Sequence, residues 1–204
     1  MSFGDAPVPD KLPPGAVSQA IRNELSNLTA EVMPVLDHWV ELFIQSGGIP
    51  DRRAFSPEAM TAALPHVWLC DFSRSEDRFR YRLGGEQVVA SLGGLLRGRY
   101  LDEVTDPETY PRVHDYYRRC VDLPAILLIS GRIYAEQSRV ANGERLMLPY
   151  VDGSNIVAGI LGATFRRWGD PDQASGVEWR PGSRRHLYIH LDDARVEQED
   201  FTIP

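Results

Sequence analysis

Lysine is almost absent: Lys11 is the single lysine among 204 residues, and the remaining basic charge is arginine. With 22 basic against 29 acidic residues the net charge is -7, and the pI is near 5.2. Affinity for a nucleic-acid backbone is built largely from clustered Lys and Arg, so this balance argues against a nucleic-acid partner. Arg78, Arg80 and Arg82 do cluster, but they alternate with Phe79, Tyr81 and Leu83, which places them on the solvated face of a strand. Long apolar runs are missing as well. The longest, residues 125–129, falls far short of the ~20 residues that cross a bilayer, and no apolar run follows a basic start. Neither a membrane span nor a signal peptide is therefore expected, and the expected location is the cytoplasm. Two cysteines, Cys70 and Cys120, are too few for a disulfide framework and are read as buried free thiols.

The common local signatures of catalysis are also lacking. There is no Gly-x-x-x-x-Gly-Lys-Ser/Thr phosphate loop, no Gly-x-Ser-x-Gly nucleophile turn and no His-Glu-x-x-His zinc helix. The five histidines, His38, His66, His114, His186 and His190, form no Cys/His metal pattern. No catalytic residue and no metal ligand is assigned, and the sequence requires no cofactor.

What is present is a succession of short, well-punctuated elements. Residues 1–28 hold Pro7, Pro9, Pro13 and Pro14 with few large apolar groups, and are expected to form a mobile arm. From residue 29 the steps of three and four among Val32, Val35, Leu36, Trp39, Leu42 and Phe43 predict an amphipathic helix that ends at Gly47-Gly48. That helix carries more apolar surface than one stripe needs, so Val35, Trp39 and Leu42 are assigned to an interface with a second copy of the chain. Ser56-Pro57-Glu58 reads as a cap, helix-start proline and first-turn acid.

Residues 66–72 and 78–83 then predict a strand pair across a charged turn. Gly84-Gly85 closes the second strand, and Val88, Val89 and Leu92 mark a short helix stopped by Gly93-Gly94. Asp106-Pro107-Glu108 opens a longer helix, with Tyr110, Val113, His114, Tyr117 and Val121 on one face. Three strands follow, with turns expected at Asn142-Gly143 and Asp152-Gly153. Residues 29–168 are read as one domain and residues 169–204 as a C-terminal extension, in which residues 185–191 could add one edge strand and the end is frayed.

The run of strand, glycine turn, short helix and glycine turn, completed by Leu96-Arg97-Gly98-Arg99-Tyr100-Leu101-Asp102-Glu103, resembles the middle of a PAS sensory domain. Further pieces resemble single-domain bacterial PAS proteins of alphaproteobacterial type: His38-Trp39, Pro50, Arg52-Arg53, Ser56-Pro57, Leu64-Pro65, Tyr81-Arg82-Leu83-Gly84-Gly85, and Leu148-Pro149 before Asp152-Gly153. The likeness covers residues 32–165. It implies an α+β PAS fold, a five-stranded antiparallel sheet with helices over one face and an amphipathic helix in front. It also implies a sensory or signal-relay protein without its own catalytic output, acting through a small ligand, a signalling protein, or both.

A fold of this kind hosts many ligands, so the residues of the site must supply the function. A pocket would be lined by Trp68, Phe79, Tyr81, Val88, Leu92, His114, Tyr117, Ile126, Leu128 and Ile160. One alternative is a haem-based gas sensor, because the setting of His114 resembles the helix that supplies the proximal His of haem-bound PAS domains. The other is a small α+β enzyme of unknown reaction.

Overall fold

The computed structural model describes residues 11–136, 139–168 and 183–202. Five helices and seven strands follow in order: α1 (Pro14–Glu24), α2 (Met33–Ser46), β1 (Val67–Ser73), β2 (Arg78–Gly84), α3 (Glu86–Ser91), α4 (Leu101–Val104), α5 (Tyr110–Asp122), β3 (Ala125–Glu136), β4 (Arg139–Val151), β5 (Val157–Trp168), β6 (Ser183–His190) and β7 (Val196–Thr202). A 3-10 segment, Pro57–His66, leads into β1. The strands form one antiparallel sheet in the order β2-β1-β5-β4-β3-β6-β7. The α+β reading stands, and the five expected strands are contiguous in this order.

The sheet is longer than expected, because the C-terminal extension contributes two strands rather than one edge strand. β6 pairs with β3 from Ala125 to Gly131 and with β7 on its other side, so residues 196–202 are not frayed. Helices also cover both faces. Alternation along each strand sends one set of side chains to a core under α1 and α2 and the other to a core under α3, α4 and α5.

The first face corrects two expectations. Val17 and Ile21 lie one turn apart on α1 and Leu25 follows at the same step. All three are buried, in the same core cluster as Ile126, Ile189 and Leu191. Residues 14–25 therefore belong to the folded core rather than to a mobile arm; residues 1–10 lie outside the described residues. α2 starts with Pro34 in its first turn and ends at Gly47, whose φ of 72° is the left-handed cap conformation that glycine adopts without a Cβ penalty. Val35 and Trp39 are both fully buried within the chain, and the Trp39 indole stacks on Phe43 with centroids 5.1 Å apart. They cannot form a two-fold interface, because packing on the protein's own sheet already uses them. Leu42 is half-buried beside them.

One local signal also misleads. Asn142-Gly143 lies inside β4, not in a turn: Gly143 pairs with Gly131 and Arg166, and a Cβ on it would come 2.0 Å from the Phe165 carbonyl oxygen. The glycine gives clearance between strands rather than a reversal.

Candidate functional site

Strand register builds the floor of a cavity on the face under α3, α4 and α5. One row across the sheet runs Trp68, Gly162, Met147, Leu127 and Tyr188. Gly162 permits the Trp68 indole to lie flat over the backbone, since a Cβ there would meet the ring at 2.0 Å. The next row is Thr164, Arg145, Ile129 and His186, and the one beyond is Arg166, Gly143, Gly131 and Arg184. Of these rows the cavity touches Trp68 in the first, Thr164, Arg145 and Ile129 in the second and Arg184 in the third, so its floor changes from aromatic to cationic along the strands.

The roof comes from the short helices. α3 and its end bring Val88 and Leu92, α4 brings Leu101 and Val104, and α5 turns Val113, Tyr116 and Tyr117 inward. α5 can do so because Tyr116, Tyr117, Cys120 and Val121 form its buried stripe while arginines and acids fill the other side. Between floor and roof is a cavity of about 590 Å³, within the size range of small-ligand sites.

Its polar groups are tied to one another. The Trp68 Nε1–H donates to Thr164 Oγ1 at 3.0 Å, and Arg145 Nε donates to the same oxygen at 3.3 Å. Arg145 Nη1 donates to the Tyr116 hydroxyl at 3.2 Å, and the Tyr81 and Tyr117 hydroxyls share a hydrogen bond of 3.1 Å. Arg184 Nε donates to the Arg132 carbonyl at 2.7 Å. Burial, followed by the neighbouring Arg145, Arg112 and Arg132, pushes Arg184 down to about 10, so it remains charged at neutral pH. His186, on the same face as Arg145, is 2% exposed, and among the described residues its Nε2 has no hydrogen-bond partner. Burial and the surrounding arginines push it down to about 3, which keeps the imidazole neutral.

Trp68, Tyr81, Val88, Leu92 and Tyr117, all expected at a pocket, border this cavity. Phe79 and Ile160 belong to the core beneath it, where Phe79 packs between Phe72 and Tyr117. Ile126 and Leu128 do not belong to the site, because strand parity turns them to the opposite face, against the core that contains α2. His114 is also elsewhere. Its Nε2 is 2.9 Å from the Asp77 carbonyl oxygen and its ring packs edge-on to Phe79, so it faces the β1–β2 turn and does not fit the role of a haem ligand in this cavity. Among the described residues no cluster of His, Cys, Asp and Glu could hold a metal ion.

The residues that sequence reasoning missed are the cavity arginines: Arg112, Arg132, Arg145 and Arg184. A signal was present for two of them. Arg145 is two residues from Met147, and Arg184 is four from Tyr188, in strands whose alternation carries them to one face.

No helix among the described residues is long and apolar enough to cross a membrane. No curated protein and no solved structure matches the chain. The PAS domain family does match, over residues 29–165, which runs from the approach to α2 to the last third of β5 and includes the roof and most of the floor of the cavity. With most of its length covered by that match and with an antiparallel sheet carrying short helices over a cavity, this chain belongs to the PAS domain family.

Proposed function

We propose that this protein is a sensory module that binds a small organic ligand in the cavity between the sheet and α3, α4 and α5, and relays occupancy to a partner protein. The observation that supports this reading is the cavity itself. A face packed only for stability would be expected to close on its own side chains, whereas this one leaves about 590 Å³ between Trp68, Tyr81 and Tyr117 on one side and α3 and α4 on the other. Convergent polar groups beside an apolar wall are what a ligand needs for orientation and for burial. The reading assigns no catalytic step to the chain. The partner is expected to contact a surface other than that of Val35 and Trp39, which the fold itself buries.

Thermal-shift screening of a chemically diverse metabolite set against the full chain tests the reading. At least one chemical class should raise Tm in the wild type but not in Val88→Phe, whose larger ring projects into the cavity. Shifts that persist unchanged in Val88→Phe would place binding elsewhere, and a flat response across the set would remove the small-ligand reading.

A further inference from the structure

The charge of the cavity is opposite to that of the protein. Acidic residues outnumber basic ones, 29 to 22, and many arginines outside the cavity have carboxylate partners. Arg78 pairs with Asp102 at 2.7 Å, Arg74 with Asp122 at 2.9 Å, Arg119 with Glu197 and Glu199 at 2.7 and 2.8 Å, and Arg185 with Asp200 at 2.9 Å. Among the described residues four arginines line the cavity, against two carboxylates, Asp106 and Glu108. Asp106 Oδ1 already accepts the Glu108 backbone N–H, the turn that starts α5. Among the described residues neither Arg112 nor Arg184 has a carboxylate partner, and the bonds of Arg184 go to the carbonyls of Arg132 and Ile133.

Like charges gathered around one concave space raise its positive potential, and the low-dielectric wall strengthens it. Arg112 and Tyr116 are one turn apart on α5, and Arg145 reaches that same tyrosine from β4. Arg184 enters from β6, beside Gly131 and one pairing step from His186. The other end of the cavity is apolar, with Val88, Leu92, Leu101 and Val104.

We infer that the ligand is a small organic carboxylate with an apolar, ring-sized body, and that Arg184 is a binding residue supplied by the C-terminal extension. This rests on the small-ligand reading above and deepens it. The carboxylate lies at the arginine end, where a guanidinium fork matches its two oxygens, and the body lies against the aliphatic roof. Because β6 lies beyond the matched residues 29–165, the family domain by itself lacks one of the groups that hold the anion. Ligand binding therefore adds a further tie between the extension, α5 and β4.

The test uses the full chain and two matched probe series in calorimetric titration: benzoate and phenylacetate, and their neutral counterparts benzamide and phenylacetamide. The carboxylates should bind at least about tenfold more tightly than the amides, and added NaCl should weaken them selectively. Arg184→Gln and Arg112→Gln should each lose about tenfold in carboxylate affinity, while Arg185→Gln, on the other face of β6, should keep it. Arg112 is an exposed helix position, so its variant tests the charge even where Arg184→Gln lowers stability. Amides that bind as well as the acids, or acids that bind unchanged in both cavity variants, would overturn the anion inference and leave the small-ligand reading standing. Acid binding lost in Arg112→Gln but intact in a folded Arg184→Gln would overturn the role of the extension. No binding by either series at millimolar concentration overturns the ring-sized carboxylate, and the Val88→Phe screen then decides the broader reading on its own.

Discussion

Trp39 on α2 should be among the most costly positions to truncate on the face opposite the cavity. It is fully buried, it stacks on Phe43 with an interplanar angle of 16°, and its Nε1–H donates to the Pro149 carbonyl at 2.9 Å near the end of β4. Trp39→Ala removes a large ring from a packed core, which costs about 3–5 kcal/mol. For a chain of this length each kcal/mol moves Tm by about 2–4 °C, so the expected drop is roughly 6–20 °C. Asp37→Ala is the matched control two residues away. Its carboxylate pairs with Arg22 at 2.9 Å but both side chains are about half exposed, and such a pair contributes about 0.2–1 kcal/mol. Trp39→Phe separates the terms, since it keeps most of the apolar contact and leaves the Pro149 carbonyl without its donor, for about 1–3 kcal/mol. Circular-dichroism melts at one protein concentration should rank the variants Asp37→Ala, Trp39→Phe, Trp39→Ala in order of increasing loss. A Trp39→Ala melt within about 2 °C of the Asp37→Ala melt would refute the placement of α2 on the sheet.

Ile21→Ala should lower stability by about 2–5 kcal/mol, because α1 buries that side chain completely; denaturant midpoints that match the wild type would return α1 to the status of an unpacked arm. Glu144 is 2% exposed and accepts from the Thr29 backbone N–H at 2.9 Å and from its hydroxyl at 3.0 Å; burial outweighs these bonds and raises the carboxyl above its ordinary 4.5. A raised folded-state value means that the unfolded chain releases this proton first, so the group's stabilising contribution is complete below that ordinary value and is lost as pH rises through the folded one. Glu144→Gln keeps the acceptor without the titration. Its Tm relative to the wild type should therefore climb as pH rises above that ordinary value, and a constant difference would show that the carboxylate is not desolvated.

The sequence was most legible where one face is apolar and the other is not. β2 illustrates this: Phe79 and Tyr81 are buried while Arg80 and Arg82 are exposed, as alternation requires, and only Leu83 at the strand end, 45% exposed, departs from it. β3 was illegible for the same reason. In Ile126-Leu127-Leu128-Ile129 both parities are apolar, so alternation cannot say which pair faces the cavity. Pairing of Leu127 with Met147 and Tyr188 decides it, and that pairing is a property of three strands together. α1 was obscured by its setting. Val17, Ile21 and Leu25 repeat at steps of four, yet the prolines before them suggest an unstructured arm until a sheet face is available to cover. The cavity arginines were hidden because an arginine in a strand reads as solvent-facing, and only α5 above the sheet turns that face into an interior.

The added strands bear on how a bound ligand could be noticed from outside. Without β6, β3 would be a free edge beside the site; with it, the edge moves out to β7. β7 presents Glu197, Gln198, Glu199 and Asp200 in succession, and a charged edge of this kind resists pairing with another strand. The opposite edge is blunted differently: the Tyr81 backbone N–H donates to the Arg99 carbonyl and its own carbonyl accepts from Gly98 N–H, so a loop occupies part of β2's outer side. Under the proposed function, these edges steer a partner away from strand addition and toward helices or side-chain surfaces. Arg119 links the two levels, since it lies on α5 over the Tyr188 ring at 3.8 Å and reaches Glu197 and Glu199 on β7. An anion held by Arg112 on the same helix and by Arg184 on the neighbouring strand would pull on both ends of that link. Under the proposed function, the α5–β7 contact is where occupancy of a buried cavity becomes a change at the surface.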